Sequence, residues 1–137
     1  MEFHQLLNGT LNAHFKMCRS KFSELGLSSG QPKILEKLVE LEGCMQKELA
    51  EACEVEPATI TSILPNMEKK GLIKRETKVF PSGTRALSVF LTEKGREMAE
   101  EVSRIFSETE ELSFSGFTKD EKEAFLSLLS RVYENIK

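Results

Sequence analysis

The chain has 137 residues, 30% of them charged, and a formal net charge of −3. That length suits one domain with a real hydrophobic core. No apolar run approaches the ~18 residues of a membrane span, no basic-then-apolar leader opens the chain, and three scattered cysteines argue against a disulfide framework, so the expectation is a soluble, cytoplasmic protein.

Residues Glu2 to about Leu25 form the first predicted helix, with Phe3, Leu7, Leu11, His14, Cys18, Phe22 and Leu25 recurring at threes and fours. Gly26 ends it. Ser28, with Gln31 three residues on, reads as a capping box for a second helix, and Pro32 is tolerable in its first turn. Ile34, Leu35, Leu38 and Leu41 are the expected buried face of that helix, and Gly43 stops it.

The segment Gln46 to Arg85 then organises the chain. A short helix carries Leu49, Ala50 and Cys53, and the brief linker Glu54-Val55-Glu56 forces a sharp crossing into a second helix. Pro57 suits the first turn of that helix, because its missing N–H would be unpaired there. Ile60, Ile63, Leu64 and Met67 form one apolar face. The opposite face offers Ala58, Thr59, Thr61, Ser62, Asn66 and Lys69, small or hydrogen-bonding side chains that can lie against base edges and phosphates. Lys69-Lys70-Gly71 closes the helix. Leu72, Ile73 and Val79 begin an extended segment, Pro81-Ser82-Gly83-Thr84 turns it, and Arg85 to Leu91 returns. Thr92 is the expected N-cap of a helix running to about Leu112, and Thr118 with Glu121 makes a capping box for a last helix bearing Phe125, Leu128, Leu129, Val132, Tyr133 and Ile136.

The predicted class is therefore mainly α with a small β-hairpin wing (α+β), a winged helix-turn-helix over about 31–91 within one domain, 1–137. Helices over about 2–25 and 92–136 carry more apolar surface than the small module needs to cover. Charge distribution fits duplex DNA despite the acidic total. From Pro57 to Arg96 there are eight cations against three anions, whereas Glu97 to Glu123 holds nine acids against three cations. No nucleophile–base arrangement, phosphate-cradling glycine loop or metal-spaced Cys/His cluster emerges, so neither an enzyme nor a cofactor is expected.

The strings LAEACEVEPATITSILPNMEKKGLIKRE and TRALSVFLTEKG resemble the multiple-antibiotic-resistance regulator (MarR) family of bacterial transcription factors. The resemblance extends upstream to LGLSSGQPKIL and covers nearly the whole chain. It implies a homodimeric, sequence-specific DNA-binding regulator, most often a repressor, whose two ends interlock with a second subunit. It implies that Pro57, Ala58, Thr59, Thr61, Ser62 and Asn66 face a major groove. Lys69, Lys74, Arg75 and Lys78 would meet phosphates, and Arg85 would enter a minor groove of a pseudo-palindromic operator. It further implies a small phenolic or aromatic anion as effector, with His14, Cys18 and Arg19 as candidate contacts.

Three departures stand out. Gly83 occupies the place of an aspartate that braces the wing arginine in the family, and Thr84 that of a common second arginine; both predict a looser wing. Pro65 lies well inside the reading helix, where it removes the bond to the Thr61 carbonyl and predicts a kink or bend. Glu54 stands where helix-turn-helix proteins often prefer glycine. Two alternatives remain open from sequence: a winged-helix protein-interaction module without DNA binding, and a redox or metal sensor using Cys18 and His14.

Overall fold

A computed structural model describes residues 1–137. Helix α1 spans Phe3–Glu24, α2 Gln31–Leu41, α3 Gln46–Cys53 and α4 Pro57–Lys69. Strands β1 (Ile73–Val79) and β2 (Arg85–Leu91) follow, then α5 (Glu93–Ser113) and α6 (Lys119–Ile136). The strands pair antiparallel, from Ile73 opposite Leu91 at the root to Val79 opposite Arg85 at the tip. This is the expected α+β winged helix.

The core sits where α2, α3, α4 and the wing root meet. Ile34, Leu35, Leu38, Leu49, Ile60, Leu64, Met67, Leu72 and Val89 are all buried there, and Val102 of α5 joins them. Each such side chain contributes about 1.5–3 kcal/mol over an exposed one. Gly43 and Cys44 add backbone bonds to Val89 on the free side of β2 (Gly43 N to Val89 O, 2.8 Å; Val89 N to Cys44 O, 2.8 Å), which seats the wing root on the helical layer. Leu87, by contrast, lies beyond the core and stays exposed.

Helix ends follow the caps in most places. Thr92 Oγ1 accepts from Gly95 N (3.0 Å), and Thr118 and Glu121 complete a reciprocal box. The start of α2 differs from expectation. Gly30, not Ser28, is its N-cap, and the helix begins at Gln31. Gln31 Oε1 does accept from Ser28 N (3.1 Å), but the remaining reach of that side chain goes elsewhere.

Turns after α3 and α4 close in the same way. Val55 N and Glu54 N bond back to the Ala50 and Glu51 carbonyls, and Leu72 N and Gly71 N to those of Met67 and Glu68. In the first turn the left-handed position is Glu54 (φ 55°), the one non-glycine residue with positive φ. Its carboxylate accepts from Tyr133 Oη of α6 at 2.6 Å, which pushes the Tyr133 phenol up.

Helix α1 packs along α5 through Cys18 and Phe22, with Phe22 edge-on to Phe106. Its outer half presents Phe3, Leu6, Leu7, Leu11 and Phe15 to solvent. Helix α6 has no buried residue at all. Beyond the Tyr133 bond it is held by Phe125 against Phe114 (5.6 Å between ring centres) and Lys122 to Glu110 (3.2 Å).

Candidate nucleic-acid interface

Three buried positions, Ile60, Leu64 and Met67, with half-buried Ile63 beside them, seat α4 on the core, so the remaining surface turns outward. Pro57, Ala58, Thr59, Thr61, Ser62, Pro65, Asn66 and Lys69 are all exposed. Ala58, Ser62, Pro65 and Lys69 line the crest, and Thr59, Ser62 and Asn66 share the flank toward α2. No segment of the chain covers this face. The helix runs unbroken through Pro65. Thr61, whose carbonyl lacks the usual helical donor there, is exposed, and solvent reaches it. The Thr61 hydroxyl bonds back to the Pro57 carbonyl at 3.0 Å.

Beside α4 stands the wing. Lys74 and Lys78 are exposed on β1, with their ammonium groups over the Phe90 and Phe80 rings (5.7 and 5.4 Å). Lys74 also lies 3.4 Å from the Glu76 carboxylate. Arg85 heads β2, exposed and without an acidic partner. Gly83, at φ 87°, lets the tip fold tightly: Gly83 N bonds to Phe80 O (2.8 Å) and Phe80 N to Thr84 O (2.9 Å). The tip is therefore braced by its own backbone and by the Ser82–Thr84 hydroxyl pair (3.0 Å), with no carboxylate holding Arg85.

Arg75, expected among the phosphate contacts, is turned into its own lobe. Its guanidinium bonds both Glu68 oxygens (3.2 Å each) and Gln46 Oε1 (3.2 Å), and its side chain is 19% exposed. These hydrogen bonds hold the Glu68 carboxyl below its ordinary value. The pair ties the end of α4 to the wing root and α3. Lys70, which the sequence marked only as a cation closing α4, donates to Gly26 O (2.7 Å) and Gln31 Oε1 (3.0 Å), while Gln31 Nε2 donates to Asn66 Oδ1 (2.7 Å). These three hydrogen bonds cross between the end of α4 and the α1–α2 junction, and only the unusual polarity of a buried glutamine could have signalled them.

The second predicted cluster lies away from this face. Cys18 Sγ is buried 3.8 Å from His14 Nε2 and 3.9 Å from Thr109 Oγ1 of α5, whereas Arg19 is exposed. No group of three His, Cys, Asp or Glu side chains gathers to hold a metal. Burial pushes the Cys44 and Cys53 thiols up, which disfavours the reactive thiolate.

A bare polar helix face, a cationic hairpin beside it and helices at both chain ends invite comparison with known regulators. The family model of the MarR family matches residues 27–79. The HTH-type transcriptional regulator YybA of Bacillus subtilis is 32% identical over 117 residues, covering 85% of this chain and 77% of YybA. The chain belongs to the MarR family. It is thus a DNA-binding transcription regulator and not an enzyme. A MarR regulator from Listeria monocytogenes, crystallised with a 26mer DNA, superposes with a TM-score of 0.85 at 26% identity, covering 99% of this chain and 89% of that one. A MarR regulator from Silicibacter pomeroyi gives 0.79 at 26%, over 96% and 88%. No helix is long and apolar enough to cross a membrane.

Proposed function

We propose that this MarR-family chain acts as a homodimeric repressor that grips a pseudo-palindromic operator. Two α4 helices enter successive major grooves about one turn apart, roughly 34 Å. Pro57, Ala58, Thr59, Thr61, Ser62 and Asn66 line the groove face. Arg85 enters the flanking minor groove, and Lys69, Lys74 and Lys78 meet phosphates. Arg75, held by Glu68, steadies the wing root beside these contacts. The observation that carries the reading is the exposed α4 face next to an unpaired Arg85. The Listeria relative crystallised with DNA supports it.

The dimeric part rests on the apolar residues that α1 and α6 leave in water, among them Phe3 (59% exposed) and Ile136 (69%). Closed twofold assembly is the common way to cover such faces. A small aromatic or phenolic anion is the proposed effector, seated between the dimerisation helices and the winged lobe, with His14, Cys18 and Arg19 as its candidate contacts. It relieves repression to the extent that it binds the non-operator arrangement of the lobes more tightly.

Selection of bound duplexes from a random pool, repeated at rising salt and with candidate phenolic anions, tests all three parts. Enrichment of an inverted repeat whose affinity falls steeply with salt is expected. Absence of any enriched duplex sinks the DNA reading, and a non-repeated site sinks the dimer.

A further inference from the structure

We propose that Asn66 acts as a hydrogen-bond donor reading guanine at one base pair of each half-site, and that buried Gln31 sets this polarity. Gln31 is 1% exposed and stands between the α1–α2 junction and α4. One end of its carboxamide lies 3.1 Å from Ser28 N and 3.0 Å from Lys70 Nζ. A backbone N–H and an ammonium can only donate, so that end is the oxygen. The other end is the NH2 group, which lies 2.7 Å from the Asn66 side chain. Asn66 must therefore turn its own oxygen toward Gln31. Its NH2 group points the other way, with two hydrogens that no group of the chain accepts.

Asn66 is exposed on the same flank of α4 as Thr59 and Ser62, so this donor end faces whatever lies on the reading helix. In a major groove guanine presents two acceptors, N7 and O6, while cytosine presents the N4 donor. Asparagine usually pairs with adenine by accepting from N6 while donating to N7. Here the accepting oxygen is already engaged by Gln31, so adenine offers the free NH2 group only N7 and leaves its N6 donor unpaired, whereas guanine offers both N7 and O6. The relay Ser28/Lys70 to Gln31 to Asn66 thus converts a fold contact into base choice.

This inference rests on the DNA-binding reading above, and the test separates their failures. Affinities of the full-length protein are measured for a selected operator with each base pair of a half-site replaced in turn. Guanine should be preferred by about tenfold at one pair, with the preference weakened for 7-deazaguanine, which keeps O6 but lacks N7, and lost in Asn66→Ala at that pair alone. Gln31→Glu is the decisive variant. Its carboxylate still accepts from Ser28 N and Lys70, but it also accepts from Asn66, whose amide turns over and presents oxygen outward. Preference at that pair should then move from guanine to a base with an exposed donor, adenine or cytosine, while circular dichroism stays unchanged. If Asn66→Ala weakens every duplex equally, the residue meets a phosphate and the proposal fails. If Gln31→Glu leaves base preference intact, Gln31 does not set the polarity. Loss of all duplex binding by the wild-type protein would remove the underlying reading itself.

Discussion

The lobe from α2 to β2 and the terminal helices α1 and α6 use the same apolar periodicity with opposite outcomes. In the lobe, Ile34, Leu35, Leu38, Ile60 and Leu64 vanish from solvent against one another. Along α6, Phe125, Leu128, Leu129 and Ile136 repeat as regularly yet remain in water. Periodicity thus reveals which side of a helix seeks cover, not whether the same chain supplies it. One region is finished as a single copy; the other leaves an apolar face in water, which the proposed dimer would cover.

Substitutions can break that contrast. Leu35→Ala should cost about 2–5 kcal/mol of unfolding stability, because the cavity it leaves is closed on all sides; denaturant titration measures it, and a loss below about 1 kcal/mol would mean the lobe is loosely packed. Leu129→Glu should weaken self-association by roughly 3 kcal/mol, since a charge would enter an apolar seam. Sedimentation should then show monomers, and an unchanged profile would place the interface elsewhere. On the lobe's outer side, Arg85→Ala should weaken operator binding by about 1–3 kcal/mol in a mobility-shift titration, even with the compact Gly83 tip retained. Lys74→Ala should lower affinity for all sequences alike and reduce the salt slope by about one unit.

The smallest effect concerns the Glu68–Arg75 pair. Glu68 has a depressed pKa, so its contribution is present above the ordinary value of 4.5 and fades as pH falls through the lower folded value. Acid unfolding of Arg75→Gln should accordingly lose part of its pH dependence below 4.5. An unaltered acid limb would show that the pair is energetically silent, as many exposed pairs are.

Much of this was legible in the sequence because local chemistry declares itself locally. Thr92 and Thr118 set helix starts through bonds to residues three ahead, and Pro81 to Thr84 turns the hairpin as its composition demands. Glu54 was recognisable as an anomaly because helix-turn-helix proteins often prefer glycine there, and it does take a left-handed conformation. What escaped were bonds between elements. Gln31 looked like half of a capping box, since its partners Asn66 and Lys70 are 35 and 39 residues away. Arg75 looked like a free cation because Glu68 belongs to a different element. Periodicity carries no record of such pairings, and they decide which polar groups are left to face a ligand.

Gly95 has a mechanical consequence. A Cβ there would overlap the Leu72 carbonyl, so α5 begins pressed directly on the backbone that leaves α4. Thr92 Oγ1 to Gly71 O (2.5 Å), Thr92 N to Leu72 O (3.1 Å) and Lys94 Nζ to Lys70 O (2.9 Å) fasten the same spot. With 21 residues, α5 is a lever about 31 Å long whose first turn is fastened to the segment Lys70 to Leu72 that leaves α4. In the proposed regulator, a tilt of a few degrees at its far end, where α1 packs, would be carried to that joint and from there to the side chains assigned to the groove.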